Sequence, residues 1–459
     1  MRLSHGPSAV FDDPNLVSVA GLVPVLALAR RAGLHDLVTE HLSVPGSAGS
    51  SSSSKVAALV AGMVAGADSI DDMDLLRHGA MRRLFTGSRA PTTLGTHLRA
   101  YTFGHVRQLD AVAARFLAAL AASCPLLAGG GQVAYVDIDD TIRETHGYKK
   151  QGVGFGYSKV KGLNAVIATI ATPTAAPVIA ATRLRRGNVN SAKGAPRLVT
   201  DALVTARNAG VTGLVTVRAD SAYYNHDVIA AARRAGARFS VTARMDPAVT
   251  RAITTIDDNA WVAIKYPKAI WDDEQQRWIC DAQVAEVPFT AFTSRRKDEH
   301  VTARLIVRRV RRLNPATAKA GQGELFAAHR HHAVFTDSPM TMLAAEVSHR
   351  GHAIIENVIA DLKDGALAHM PSGVFTANAA WTVLAAIAYN LTRAAGTIAS
   401  AFHAKATTAT IRAQLIAVPA RVARSARQQV LHLPDRWPWQ HAWAALHAAA
   451  TGPPATATP

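Results

Sequence analysis

The pattern of apolar and polar residues divides the chain into regions. Residues 1–125 carry apolar positions at helical spacing and predict a helical region, with a flexible serine-rich linker at 46–54. Over 132–244, short β-branched runs alternate with amphipathic stretches, which is typical of an α/β domain. The predicted strands there cover 133–138, 163–171, 178–182, 213–218 and 239–242, and the predicted helices cover 195–209 and 225–235.

The second half of the chain begins with a different pattern of apolar and polar residues. Residues 245–335 alternate apolar and polar positions and predict a mostly β insertion. A hairpin signal between Trp271 and Trp278 predicts that the two indoles pair across strands, in preference to stacking on a nucleobase. We expect the α/β domain to resume over 336–400, and helices and a disordered tail to follow over 401–459.

One stretch within the resumed domain, residues 338–365, predicts a helix that carries chemistry. Ser338 suits its cap, Gly365 suits its end, and Gly351 is the one place where it could break. An ordinary surface helix puts its charges opposite its apolar side. Here a carboxylate and cationic groups lie next to the apolar side of the helix. The apolar side consists of Ile355, Val358, Ile359 and Leu362. The polar residues next to it are His349, His352, Glu356 and Lys363.

Composition adds a class of partner. The 459 residues include 50 Lys and Arg against 33 Asp and Glu, a formal charge of +17, which favours double-stranded DNA over a membrane. A generic basic surface is the alternative. Two cysteines, Cys124 and Cys280, form neither a ligand cluster nor a disulfide framework. With no secretory signal or spanning segment in the sequence, we expect a cytoplasmic protein, associated with the nucleoid when on DNA.

Several basic positions are candidates for contact with DNA. The helical region 1–125 is rich in arginine and is expected to contact DNA, although a solvated basic face is the alternative. Arg308 and Arg311, in the insertion, could follow a phosphate backbone, or could protect an edge strand from aggregation. Lys159 and Lys161 adjoin a glycine-containing loop that we expect to be flexible and close to DNA.

Three carboxylates occupy positions suited to a metal site. Asp139 lies at the end of a predicted strand, Asp220 ends another, and Glu356 lies on the predicted helix. Each alone could be an ordinary strand exit, turn or helix carboxylate. Together they could hold two Mg²⁺ or Mn²⁺ ions for phosphoryl transfer, since these ions prefer oxygen ligands. Asp137 shares a strand face with Asp139 and is an alternative first carboxylate.

These motifs resemble those of DDE transposases. Residues 139–141, Asp-Asp-Thr, are similar to the family's first motif, and residues 220–223, Asp-Ser-Ala-Tyr, to its second. Glu356 and Lys363 resemble the end of the third motif, although histidine stands at position 352 where the family has arginine. The phrases around these motifs are closest to insertion-sequence transposases of the 1380 type, in the insertion-sequence 4 superfamily.

The resemblance implies a fold and roles for residues. The fold would be an α/β RNase H-like catalytic core with a mostly β insertion, flanked by N-terminal and C-terminal helical regions. Asp139, Asp220 and Glu356 would be the catalytic metal ligands, with Asp139 favoured over Asp137 because the threonine follows it at the family's spacing. Lys363 would contact a DNA phosphate, and Arg350 or His352 would take the place of the missing arginine.

We therefore expect a DNA transposase that works as a homo-oligomer on two DNA ends. It would bind the ends of an insertion sequence, cleave them with two metal ions and transfer the 3′-OH strands to target DNA. One alternative is a metal-dependent nuclease on the same core without strand transfer. Another is a non-catalytic DNA-binding protein derived from a transposase, although this chain keeps all three carboxylates.

Overall fold

The structure is a computed structural model. It describes residues 8–45, 51–146, 149–156, 159–264, 270–272, 277–279, 282–311, 329–425 and 428–452, with the backbone only at 270–272, 277–279, 311 and 425. No helix in these ranges has the length and hydropathy needed to cross a membrane.

The first 125 residues fold mainly as helices, and the helix starts have local causes. Pro91 begins one helix, where its missing N–H is not needed, and Thr102 and His105 form a capping box at another. After a short strand β1 (Leu16–Val17), the helices are α1 (Leu22–Arg31), α2 (Leu34–His41), α3 (Ser52–Ala65), α4 (Met81–Leu84), α5 (Pro91–Arg99) and α6 (Phe103–Ser123).

The serine-rich stretch at 46–54 is not a linker throughout, because its last residues begin α3. The Ser51 hydroxyl accepts a hydrogen bond from the Ser54 N–H and caps the helix. Ser53 is buried, and its hydroxyl lies 2.9 Å from Nε2 of His35. The prediction of a linker rested on the low complexity of this stretch, but serine is also one of the preferred residues at a helix N-cap. Residues 46–50 lie outside the described residues.

A mixed sheet carries the candidate carboxylates. Strand β2 (Val133–Glu144) pairs antiparallel with β4 (Lys161–Ala171), which pairs antiparallel with β5 (Val178–Arg186) and, at its start, with β3 (Gly154–Phe155). On its other side, β2 is parallel to β6 (Leu214–Ala219), and β6 is parallel to β7 (Arg238–Thr242). Helices α7 (Ala195–Asn208) and α8 (His226–Arg234) connect β5 to β6 and β6 to β7, so the strands and helices predicted here are confirmed.

The segment 245–335 continues the same sheet. It contains helix α9 (Pro247–Thr254) and strands β8 (Val262–Ala263), β9 (Ile270–Asp272), β10 (Arg277–Ile279), β11 (Ala282–Ala291), β12 (Val301–Arg311) and β13 (His329–Thr336). β13 pairs antiparallel with β7, which extends the sheet to ten strands in the described part of the chain. β9 and β10 form a separate antiparallel pair in which Trp271 and Trp278 are register partners, so the backbone has the register that the predicted cross-strand pair requires.

The helix predicted at 338–365 is broken at Gly351. It consists of α10 (Met342–Arg350), a 3₁₀ turn at Gly351–Ala353 and α11 (Ile354–Lys363). A Cβ at position 351 would lie 2.9 Å from Nη1 of Arg218, so glycine allows the turn to approach the sheet. The expected start at Ser338 is wrong, because the Thr341 hydroxyl accepts from the Ala344 N–H and caps α10.

The C-terminal region is not only helical. Helix α12 (Phe375–Ala399) is buried along nearly its whole length, and α13 (Thr408–Ile411) and α14 (Gln440–Thr451) follow it. Between the last two lies a hairpin of β14 (Ala420–Ser425) and β15 (Gln428–His432), and β14 also pairs with β1. The sequence did not predict this hairpin, since its strands are short and polar and one partner lies near the N-terminus. Residues 453–459, in the predicted disordered tail, lie outside the described residues.

Candidate active site

Strand pairing brings Asp139 and Asp220 together. The parallel ladder between β2 and β6 ends at the pair formed by Ile138 and Ala219. Asp139 follows Ile138 in β2 and Asp220 follows Ala219 at the end of β6, and neighbouring strands lie about 5 Å apart. The two aspartates therefore lie next to each other where the parallel pairing ends.

Glu356 joins them from α11. This helix packs on β2 and carries Glu356 in its first turn, with its apolar side chains turned inward. Burial raises the pKa of Asp139 to about 7, and the negative charges of Asp220, Asp140 and Glu356 contribute to the increase. The structure thus brings Asp220 and Glu356, the other two predicted carboxylates, within electrostatic reach of Asp139.

Asp220 is oriented by the backbone that follows it. Its Oδ1 accepts a hydrogen bond from the Ala222 N–H at 3.0 Å, as the cap of a 3₁₀ turn. Burial raises the pKa of Asp220 above its usual value, and the charge of Asp140 also raises it, while this hydrogen bond acts in the opposite direction. Within the described residues, neither Asp139, Asp220 nor Glu356 makes an ion pair within 4 Å.

The donor set suits a divalent cation. Three carboxylates without a paired cation supply hard oxygen atoms and an excess of negative charge, as Mg²⁺ and Mn²⁺ require. In the described part of the chain, no three acidic, histidine or cysteine side chains form a ready-made metal cage. The residues therefore fit metal ions in their chemistry, although within the described residues their oxygen atoms are not gathered into a ligand cage.

The raised pKa of Asp139 predicts a pH-dependent response to metal. Its folded-state pKa of about 7 lies above the ordinary value of 3.8. In the metal-free protein, stability is therefore lost as the pH rises between these values, because the ionised carboxylate is disfavoured in the folded state. A bound cation removes this cost in stability, because it stabilises the ionised carboxylate of Asp139 in the folded state. We expect Mg²⁺ to raise the melting temperature more at pH 8 than at pH 5.5, as measured by calorimetry.

Asp139→Asn is the matched variant for that measurement and should remove most of the pH dependence of the Mg²⁺ effect. An equal increase in melting temperature at both pH values in the original protein would contradict the interpretation. So would a pH dependence that survives in Asp139→Asn.

Asp137, the alternative first carboxylate, is held elsewhere. It is fully buried and accepts two hydrogen bonds from Arg218, one from Nε at 2.6 Å and one from Nη2 at 2.8 Å. Arg218 also lies over the Tyr135 ring and donates to the Ser348 carbonyl in α10. Asp137 therefore ties the broken helix to the sheet through an ion pair, and Asp139 faces the other two carboxylates.

Lys363 lies beside the carboxylates at the exposed end of α11. Partial burial and the charge of Arg143 lower the pKa of Lys363, while the negative charge of Asp139 raises it. Arg143 itself donates to the Ala368 carbonyl from Nη2 at 2.6 Å. Lys363 thus borders Asp139 near the end of α11, and Arg143 lies close to Lys363.

A second basic group lies beside Asp220, and the insertion supplies one of its members. Arg308 of β12 and Arg350 of α10 both donate to the buried carboxylate of Glu346. His352 lies next to them, and burial lowers its pKa to about 4, so its imidazole is neutral at pH 7. These three predicted DNA contacts line a cavity of about 160 Å³ with Asp220. The arginines are already engaged with a carboxylate, which the sequence did not indicate.

The remaining predicted DNA contacts lie before or at the start of β4 and at the end of β12. Lys159 is exposed with φ of 59°, and Lys161 begins β4. The adjoining loop is more ordered than expected, because Gly154–Phe155 forms β3 and pairs with β4. Arg311 pairs with His329 through the backbone of β12, and its side chain lies outside the described residues.

The sequence did not predict a buried hydrogen-bond network on the opposite face of β2. Arg185 of β5 donates to Asp140 at 2.6 Å and to Asn164 at 2.7 Å, and also to backbone carbonyls before α7. The Tyr223 side chain is buried close to Asp140 and Asp220. The available signal was Arg183 and Arg185 at alternating positions of an apolar strand, since buried arginine needs acceptors.

Comparison with known proteins identifies the family. No curated protein sequence matches this chain. Among solved structures, the chain is similar to the piggyBac transposase in its cryo-EM synaptic complex with hairpin DNA, at a TM-score of 0.39 and 8% identity, covering 88% of this chain and 79% of that one. The model of the family described as "Transposase DDE domain group 1" matches residues 8–451. This match spans nearly the whole chain, which therefore belongs to the DDE transposase family.

Proposed function

We propose that this transposase cleaves the ends of its own insertion sequence and joins the freed 3′-OH strands to target DNA. One observation carries the proposal: Asp139, Asp220 and Glu356 are electrostatically coupled at one edge of the sheet and have no ion-pair partner in the described residues. A concentrated negative charge in a protein of net charge +17 suits metal-assisted chemistry on DNA.

The residues would divide the work as follows. Asp139, Asp220 and Glu356 would hold two Mg²⁺ or Mn²⁺ ions, which when bound supply activation of the attacking oxygen and stabilisation of the leaving one. Lys363 and Arg143 would bind the phosphate beside the reacting bond, since Lys363 interacts with Asp139 and Arg143 lies close to Lys363. Arg350 and Arg308 would border the other side of the DNA path, held by Glu346.

We further propose an RNase H-like core formed by β2, β4, β5, β6 and β7. An antiparallel group of three strands, extended from its first strand by two parallel strands, supports this assignment. The finer placement in the 1380 type of the insertion-sequence 4 superfamily remains a prediction from the motifs. So does a homo-oligomer acting on two DNA ends.

Duplexes carrying the two ends of the flanking element provide the test. With Mg²⁺, the protein should release 3′-OH ends and join them to a second, unrelated duplex. Cleavage without joining would favour the nuclease, and end binding without cleavage under Mg²⁺ or Mn²⁺ would favour the non-catalytic protein. Either result would overturn the proposal.

Lys363→Ala should weaken binding of DNA ends of any sequence. A lysine that contacts one phosphate releases about one counterion, so the slope of log affinity against log salt should fall by about 1. Titration of a labelled duplex with the protein at several salt concentrations measures this slope. Lys405→Ala, which removes another exposed lysine after α12, is the control and should leave the slope unchanged. An unchanged slope in Lys363→Ala would remove the assigned phosphate contact.

A further inference from the structure

Phe155 has a large apolar side chain that is exposed to solvent, although the residue belongs to a strand. Its exposed fraction is 65%, although it lies in β3 and pairs with Lys161 of β4. The backbone around it is held closely: a Cβ at Gly156 would lie 2.5 Å from the Gly187 carbonyl oxygen, and one at Gly152 would lie 2.7 Å from the Phe375 ring. The phenyl ring therefore projects from a short strand whose backbone is closely packed on both sides.

The register of the sheet places Phe155 on the same face as the catalytic carboxylates. Residues directly opposite in an antiparallel pair share a face, and every second residue of a strand returns to it. Phe155 pairs with Lys161, and Asp139 pairs with Ile167 of the same strand, six positions further on. Six is an even number, so Phe155, Lys161 and Asp139 all project from one side.

Basic groups fill the interval between them. Arg143 shares this face too, because it pairs with Leu163, and Lys363 lies close to it at the end of α11. Lys159 is exposed in the turn between β3 and β4. From Asp139, the face therefore runs past Arg143 and Lys363 to Lys161 and ends at an exposed aromatic ring. Cations of this spacing suit a phosphate backbone, and the ring suits a nucleobase.

The length of this path sets a position on DNA. Six residues of β4 at about 3.3 Å each, and two strand spacings of about 5 Å, separate Phe155 from Asp139 by roughly 20 Å. B-DNA rises about 3.4 Å per base pair. A duplex lying along the path would therefore meet Phe155 about six base pairs from the reacting phosphate.

We propose that Phe155 is a wedge that enters a base step of the bound DNA about six base pairs from the cleavage site and unstacks it. An apolar side chain inserted between bases bends the duplex and lets it follow more of the protein surface. Because the ring is already exposed and β3 is already paired with β4, the insertion requires neither uncovering of the ring nor ordering of the strand. This inference rests on the proposed function, because it places the reacting phosphate at Asp139.

The test uses duplex ends with 2-aminopurine placed singly at positions three to nine from the cleavage site, in Ca²⁺ so that no DNA is cut. Binding should raise fluorescence at one position near the sixth. Phe155→Ala should abolish that rise and weaken binding about fivefold or more. Phe155→Leu should keep part of both, since leucine also acts as a wedge. Phe402→Ala, which removes a ring of similar exposure, 61%, should change neither.

Equal fluorescence and affinity for Phe155→Ala and the original protein would overturn the proposal, as would a rise that is confined to positions outside this window. Failure of the proposed function is a separate result: it would appear as absence of cleavage in Mg²⁺ whatever residue stands at 155.

Discussion

Glu356→Gln is expected to reduce cleavage of DNA ends by about a thousandfold or more while leaving the fold and DNA binding intact. The carboxylate is exposed on the first turn of α11 and makes no ion pair in the described residues, so its removal should not unfold the helix. A metal ion stabilises the charge that develops at a phosphoryl group by several kcal/mol. Each 1.36 kcal/mol of that stabilisation is a tenfold change in rate. Single-turnover cleavage in Mg²⁺ measures the loss.

Glu40→Gln is the matched control, since Glu40 is an exposed glutamate on α2. It should cleave as fast as the original protein. If Glu356→Gln cleaved within about tenfold of the original rate, Glu356 would not be a metal ligand, and the third carboxylate would have to be sought elsewhere on α10 or α11.

Arg218→Met is expected to destabilise the protein by about 3–5 kcal/mol, because it leaves the carboxylate of Asp137 buried without its partner. The guanidinium also links β6 to the Ser348 carbonyl, so the broken helix loses an attachment to the sheet. Chemical denaturation with urea, followed by circular dichroism, would measure the change in free energy of unfolding.

The double variant Asp137→Leu with Arg218→Met should recover most of this stability, since replacing both partners by apolar side chains removes the unpaired charge. Asp139→Asn gives the contrast between the two aspartates. It should not destabilise the metal-free protein, because it removes a carboxylate whose ionisation is disfavoured there. A loss below about 1 kcal/mol in Arg218→Met would show that the ion pair does not hold Asp137.

The strands around the site were predictable because each is a short apolar run bounded by polar residues. The run ending at Ala219 and the run through Ile138 predicted β6 and β2, and the acids beside them predicted a site at the strand ends. Their neighbours in the sheet were not predictable, since no local pattern states that β13 pairs with β7 and joins the insertion to the sheet.

The choice between Asp137 and Asp139 shows the same limit. Alternation puts both on one face of β2, and only the register of β6 against β2 reveals that Arg218 lies opposite Asp137. Likewise, Arg308 and Arg350 are 42 positions apart in the sequence, and their common acceptor, Glu346, becomes visible only when the fold brings α10 close to β12. Charge counting could predict basic groups near DNA, but not which of them already neutralise a buried acid.

The assigned metal ligands can be tested by anomalous diffraction from crystals of the protein with Mn²⁺ and an uncleaved DNA end. We expect manganese peaks within about 2.5 Å of carboxylate oxygens of Asp139, Asp220 and Glu356. We also expect Asp137 to remain paired with Arg218. Manganese bound at Asp137, or peaks that lack any contact with Glu356, would contradict the assignment of the active site.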